Sequence, residues 1–141
     1  MSAPEPSVPG SARVEVPAGT PWGETVGYSR AVRVGPYVAV AGTTAVDEAG
    51  AVVAPGDAYA QTAVALAKIA AALGAVGASM SDVVRTRIFV TDIAQWEAVG
   101  RAHREAFGGV RPAATMVEIA RLIGDGLVVE IEADAVVPDR A

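Results

Sequence analysis

Cysteine is absent from this chain of 141 residues, and histidine occurs once, as His103. The absence of thiols excludes disulfide bonds, thiolate zinc sites and cysteine nucleophiles. A single histidine also excludes a metal site built from several histidines of one subunit. A carboxylate site stays open, although no group of Asp and Glu residues has the spacing of one. We therefore expect no metal and no other cofactor.

Positive charge is scarce as well. The net charge is −5 and Lys and Arg form no run, whereas a protein that binds nucleic acid needs a basic stripe to neutralise phosphates. The sequence also contains no unit of strand, Gly-rich loop and helix, so nucleotide binding by a phosphate loop has no support. We expect no nucleic-acid partner, unless assembly of several copies forms a local basic groove.

Long apolar runs are missing too. No stretch approaches the roughly 18–20 consecutive apolar residues of a membrane span. The N-terminus is rich in Pro and Gly and lacks the basic-then-apolar order of a secretion signal. We expect a cytoplasmic protein without a membrane partner. Residues 1–24 are predicted to form a flexible extension, and residues 25–141 a single domain.

Apolar residues make up 52% of the chain, and many of them are Ala and Val, which form thin side-chain layers. A domain of this size has a stability margin of only about 5–15 kcal/mol. Burying further surface between copies adds to that margin. Self-association is therefore expected.

Residue patterns predict six strands and two helices in the order βββαβαββ. The strands are expected at Tyr28–Val34, Pro36–Ala41, Ala51–Val53, Val83–Val90, Ala113–Ile119 and Leu127–Val137. The first helix is expected to run from the N-cap Asp57 to about Ala75, because apolar residues recur there at three- and four-residue steps. A capping box of Asp92 and Gln95 predicts that the second helix begins there; it ends near Phe107.

This order predicts an α+β fold with a mixed six-stranded sheet and both helices on one face. The other face of the sheet then needs a cover, which three such sheets packed around an axis would supply.

Five short strings resemble those of a known family. They read YSRAV (28–32), VAG (40–42), FVTDI (89–93), RPAATMVEIARL (111–122) and EIEA (130–133). The Rid family (reactive intermediate deaminases, RidA/YjgF-like) shows PYSQAV, VSGQ, VFVKDL, FPARSCVEVARL and EIEAIA at these places. The resemblance covers roughly residues 28–137. It implies a chorismate-mutase-like, YjgF-like fold that forms a homotrimeric barrel, with a small-molecule ligand at the subunit interfaces.

The resemblance also implies a chemistry, the hydrolysis of reactive enamines and imines such as 2-aminoacrylate to ammonia and a 2-keto acid. In the family, the Arg of the PAR string holds the substrate carboxylate through two parallel bonds. Ala114 stands at that position here and can make neither bond. The chain also departs from the family at Ala41, Gly100, His103 and Met116. It is therefore expected to be a divergent member and not a standard 2-aminoacrylate deaminase.

By this resemblance, Glu130 matches the glutamate that positions water in the family and is our candidate catalytic residue. The substrate-binding candidates are Tyr28, Gly42, Thr43, Arg87, Gly100, His103, Ala114, Met116 and Glu118. For Arg87 two roles are open, substitution for the missing arginine or pairing with a carboxylate at a subunit interface. For His103 the alternatives are proton transfer in the pocket and packing.

Three functions stay open. The first is a divergent hydrolase that acts on an imine, an enamine or a related compound, with water bound by Glu130 and the Gly42 amide as oxyanion donor. The second is a ligand-binding or regulatory trimer without catalysis. The third is a specialised pathway enzyme for a neutral substrate, which would explain the loss of the cationic clamp at Ala114.

Overall fold

The computed structural model of the protein describes residues 12–139. The sheet strands are β1 Arg13–Pro17, β2 Ser29–Val34, β3 Tyr37–Thr43, β4 Val83–Val90, β5 Ala113–Glu118 and β6 Val129–Val136. The helices are α1 Gly23–Val26, α2 Ala58–Ala75 and α3 Trp96–Phe107. Short 3-10 turns at Met80–Asp82 and Ile93–Gln95 precede β4 and α3.

The six strands form one mixed sheet in the order β1-β2-β3-β6-β4-β5. All neighbouring pairs are antiparallel except β4 and β5, which run parallel. The helices α2 and α3 pack on each other, α2 also contacts β2, β3 and β6, and a side chain of α3 bonds β4 on the same face. The prediction of an α+β fold with a mixed six-stranded sheet and two helices on one face is confirmed.

The predicted strand at Ala51–Val53 is wrong. Only an isolated bridge between Val46 and Val52 forms there. The Asp47 carboxylate accepts bonds from the amides of Ala49 and Ala51, which folds this short segment into a turn. The sixth strand is instead β1, which pairs with β2, so the sheet begins at residue 13 inside the segment that we expected to be an extension. The part of that extension before residue 12 lies outside the described residues.

Helix α2 is the element on which the core is built. The Asp57 carboxylate accepts from the Ala60 amide and caps its N-terminus, as predicted. Leu66, Ile69 and Leu73 are completely buried on one side of the helix, against the core residues of the sheet. With 18 residues and a mean hydropathy of 1.3, α2 is also long and apolar enough to span a membrane. Its burial against the sheet accounts for its apolar composition, because helices in the core of a protein are equally apolar.

The predicted capping box at Asp92 and Gln95 is wrong in its second half. The Asp92 carboxylate accepts from the Ala94 amide, but it caps the 3-10 turn, and α3 begins only at Trp96. A capping box in which both bonds form is found at Ser79 and Asp82, before β4. The sequence analysis did not predict a capping box at this position.

Gln61 connects α2 to the two loops at the end of the sheet. Its side chain is fully buried, and Nε2 donates to the carbonyls of Val53, Ala54 and Gly126 at 3.3, 3.1 and 2.8 Å. The amide of Val128 donates to Oε1 at 2.8 Å. One side chain therefore satisfies backbone groups that cannot reach water.

We predict that Gln61→Leu lowers the free energy of unfolding by about 2–4 kcal/mol, because the apolar side chain leaves several buried backbone groups without a partner. Urea unfolding followed by circular dichroism measures this loss. The control is Ala63→Leu on the exposed side of the same helix, which should change the value by less than about 0.5 kcal/mol. Equal effects of the two substitutions would contradict the assignment.

Candidate functional site

A small pocket lies beside β3 and β6 on the face of the sheet that the helices do not cover. Its volume is about 300 Å³. Its lining residues are Thr20, Trp22, Val26, Tyr28, Ala41, Gly42, Thr44, Ile123 and Glu130. It brings together three residues of the predicted site, namely Tyr28, Gly42 and Glu130.

Strand alternation places Glu130 at this pocket. Val129 and Ile131 point into the core and are completely buried, so the side chain of Glu130 between them points to the uncovered face. On the neighbouring strand the pairing register shifts between Val40 and Thr43. This bulge brings Gly42 against the Glu130 side chain.

Gly42 is required by this close approach. A Cβ atom at that position would lie 2.1 Å from Oε1 of Glu130 and 3.0 Å from its Cδ. A side chain there would displace the Glu130 carboxyl group, so glycine lets the carboxyl group lie directly on the backbone.

The environment of Glu130 suits a carboxyl group that exchanges protons. The side chain is partly buried, and this burial raises the pKa of Glu130 above its ordinary value of 4.5. The positive charge of Arg30 opposes the rise and the negative charge of Glu132 adds to it, with a raised pKa as the net result. Such a carboxyl group can take a proton and return it under mild conditions.

Arg30 is a residue of this site that the sequence reasoning missed. Its side chain is only 9% exposed, and Nη2 donates to the carbonyl of Gly42 at 2.7 Å. The guanidinium carbon lies 5.9 Å from the centre of the Tyr28 ring. An arginine in an apolar strand was the available signal, but a sequence does not reveal whether such a side chain is buried or turned to solvent.

Tyr28, the residue before β2, ties the chain at Thr20 to the pocket. Its hydroxyl forms a hydrogen bond with the Thr20 hydroxyl. The pocket lining between them in sequence includes Trp22, which precedes the short helix α1, and Val26 at the end of that helix. Ile123 also lines the pocket, although it is 66% exposed. Neither Trp22 nor Ile123 belongs to the predicted binding set.

Thr43, a predicted binding residue, lies outside the pocket. Its side chain is completely buried, and its hydroxyl donates to the carbonyl of Ala41 at 2.8 Å. It lies next to Gly42 in sequence but is not among the residues that line the pocket.

His103, Ala114 and Met116 lie on the other face of the sheet. Nε2 of His103 is 2.9 Å from the Thr86 hydroxyl, and its ring packs on Phe107 with the centroids 4.7 Å apart. Ala114 pairs with Thr86 and Met116 with Ile88, and both partners are buried under the helices. The sheet therefore separates these three residues from Glu130 within one chain.

The remaining predicted site residues are also apart from the pocket. Gly100 lines an open depression on the outer side of α3 together with Trp96 and Arg101. Glu118 accepts a bond from the Ile93 amide at 3.1 Å.

Arg87 lies on the uncovered face, where Nη1 is 3.3 Å from a carboxylate oxygen of both Glu132 and Asp134. Of the two roles considered for Arg87, carboxylate pairing is the one seen, and it occurs within the chain. Among residues 12–139, no three His, Asp or Glu side chains come close enough to hold a metal ion.

Fold and pocket together describe a small α+β protein with a pocket beside an acidic side chain on the open face of the sheet. The family model described as Endoribonuclease L-PSP matches residues 22–137, and the chain belongs to this family. The resemblance to the Rid, YjgF-like proteins is thereby confirmed.

Individual relatives agree with this assignment. Rv2704 of Mycobacterium tuberculosis, a member of the YjgF/YER057c/UK114 family, is 52% identical, with a TM-score of 0.81 over 89% of this chain and 100% of that chain. The YjgF gene product of E. coli is 32% identical, with a TM-score of 0.70 over 77% and 87% of the two chains. An uncharacterised Streptomyces coelicolor protein, SCO2049, is 38% identical over 120 residues, which are 85% of this chain and 89% of that protein.

The contact between Gly42 and Glu130 leads to a structural prediction. In Gly42→Ala the new methyl group should displace the Glu130 carboxylate by roughly 1 Å or more, because non-bonded heavy atoms are optimally separated by about 3.5–4.0 Å. The fold should persist, since the atom to be displaced is the end of a flexible side chain. A crystal structure of the variant measures the shift. Gly100→Ala is the control, since a Cβ there meets nothing within 4 Å; an unmoved carboxylate in Gly42→Ala would contradict the prediction.

His103 leads to a prediction on stability and pH. Burial lowers the pKa of His103 below its ordinary value of 6.5, so the unfolded chain takes up this proton more readily than the folded one. The contribution of neutral His103 should therefore be fully present above pH 6.5 and fall as the pH drops from there through the lowered pKa. The difference in unfolding free energy between the protein and His103→Gln, measured by denaturation from pH 8 to pH 5, should show this slope. A difference that does not vary with pH would contradict it.

Proposed function

We propose that the Glu130 pocket binds a small carbonyl-derived molecule and that the protein hydrolyses an imine or enamine there. The observation that carries this proposal is the partly buried Glu130 carboxyl group, with its raised pKa, lying directly on Gly42 in a pocket of small-molecule size. Membership of a family with RidA-like proteins supports the same chemistry.

In the proposed reaction, the Glu130 carboxylate takes a proton from a water molecule, and the oxygen of that water forms a bond to the imine carbon. The Gly42 amide is assigned as hydrogen-bond donor to the oxygen of the resulting tetrahedral adduct. Glu130 then returns the proton to nitrogen. The same carboxylate then moves the remaining hydroxyl proton of the adduct to nitrogen as the carbon–nitrogen bond breaks and the carbonyl forms. Ammonia leaves, so that one imine and one water give one carbonyl compound and one ammonia.

We propose further that no side chain of β5 binds a carboxylate of the substrate. Ala114 has no group to donate, and Arg87 is engaged by Glu132 and Asp134. An imine or enamine without an essential carboxylate therefore suits this pocket better than 2-aminoacrylate, in line with a specialised enzyme for a neutral substrate.

A homotrimer is the proposed assembly. Four large apolar side chains remain 42–47% exposed on the uncovered face, namely Val34, Tyr37, Val117 and Val136. Packing three copies through this face would bury them and would make the Glu130 pocket part of a cleft between subunits. Light scattering on the purified protein measures the number of copies in the assembly. We expect the protein to be cytoplasmic.

The hydrolase proposal predicts that the protein releases ammonia, above the uncatalysed rate, from imines without a carboxylate. An amine oxidase generates such imines from amines that carry no carboxylate. Glu130→Gln should lower this release by about 100-fold or more, because the amide cannot exchange the proton. Because the pKa of Glu130 is raised, the acid limb of kcat/KM should lie above pH 4.5. A coupled assay for ammonia measures both.

Ala114→Arg is the matched test of the missing clamp. Because the sheet separates residue 114 from Glu130 within one chain, this test depends on the proposed trimer, in which residue 114 of a neighbouring copy would face the Glu130 cleft. There the new guanidinium should raise turnover of 2-iminopropionate by about 10-fold or more, by the strength of a buried charge pair, and leave turnover of the neutral imine unchanged. No turnover of any imine by the protein, together with ligand binding in a thermal-shift screen, would replace the hydrolase proposal with that of a binding or regulatory trimer. Cleavage of RNA that is lost in Glu130→Gln would also overturn it, in favour of the activity in the family's description.

A further inference from the structure

Arg30 lies behind the pocket wall, on the far side of Gly42 from its contact with Glu130. It is the second residue of β2, and its Nη2 holds the Gly42 carbonyl at 2.7 Å. Its Nε is buried and has no hydrogen-bond partner. Arg30 is not among the residues that line the pocket, and its guanidinium is too deeply buried to act as a clamp for a ligand in this conformation.

The charge of Arg30 is not neutralised by direct pairing. None of the ion pairs within residues 12–139 involves it, and burying an unpaired guanidinium is costly. The charged and titratable groups that face it are Tyr28, Glu130 and Lys68. The Lys68 ammonium is itself engaged, since it donates to the carbonyls of Thr44 and Val46 at 2.7 and 3.0 Å.

We propose that Arg30 is a positioning residue of this pocket: its guanidinium fixes the Gly42 peptide on which the Glu130 carboxylate lies, and it presents a positive charge to that carboxylate from behind the peptide. The inference rests on the proposed function, because it assigns Arg30 a part in preparing the same carboxylate.

The residue type matters for this role. The Rid strings have Gln at this place (PYSQAV against YSRAV), and a glutamine amide can also donate to a carbonyl. What arginine adds is a permanent charge. That charge lowers the pKa of Glu130, against the opposing effects of burial and of Glu132. It thus keeps the carboxylate form available at a lower pH than burial alone would allow.

The test is a carbon-13 NMR titration of the Glu130 carboxyl group in the full chain labelled at glutamate, with Glu130→Gln to assign the signal. Arg30→Gln should move the titration of Glu130 to higher pH, and Arg30→Lys should bring it back towards that of the protein, because lysine restores the charge. Arg30→Met takes the place of Arg30→Gln if the latter fails to fold. Where imine hydrolysis is measurable, the acid limb of kcat/KM should move in the same direction.

Arg33→Gln is the matched control. Arg33 lies on the same strand and also donates to backbone carbonyls, those of Gly35 and Val76, but on the helix side of the sheet. It should leave the Glu130 titration unchanged while lowering stability. A titration in Arg30→Gln that superimposes on that of the protein, or an equal shift in Arg33→Gln, would overturn the proposal. The titration decides this even if no imine is hydrolysed, so failure of the proposed function remains distinguishable from failure of the role of Arg30.

Discussion

The site depends on one close approach, that of the Glu130 carboxyl group to the backbone at Gly42. Two features of the sheet make it possible: the bulge between Val40 and Thr43 and the missing side chain at Gly42. Because the carboxyl group lies on the peptide, part of its hydration shell is replaced by protein, which is the physical origin of its raised pKa. The other features of the pocket act on this pair.

The two faces of the sheet have separate tasks. The covered face holds the core around α2, and the polar groups buried there, such as Gln61, Thr86 and His103, are engaged by protein partners. The uncovered face carries the pocket and the ion pairs of Arg87. Strand alternation assigns the strand residues to these faces. It therefore separates Glu130 from Ala114 and Met116, which the family strings had grouped with it.

The fold was largely predictable from sequence because α2 and β4 have strong periodic patterns and because the five strings occur in order. The edge strand β1 escaped prediction, since its residues lie among prolines and their pairing with β2 depends on tertiary structure. Within the site, Glu130, Tyr28 and Gly42 were found through the strings. Arg30 was not, because burial of a charged side chain is decided by what surrounds it. Its partner, the Gly42 carbonyl, lies 12 residues away on the neighbouring strand and leaves no local pattern around Arg30.

The hydrogen bond between the hydroxyls of Thr20 and Tyr28 also has a consequence for shortening this protein. The roof over the pocket is made by the chain between β1 and β2, with Trp22 and Val26 as its apolar contacts. The segment of residues 20–26 is therefore part of the pocket. Trimming the chain to begin at residue 25 would remove Thr20 and Trp22 from the pocket lining and cut α1, while sparing α2, α3 and strands β2 to β6. A shortened protein can therefore fold and still have an altered pocket.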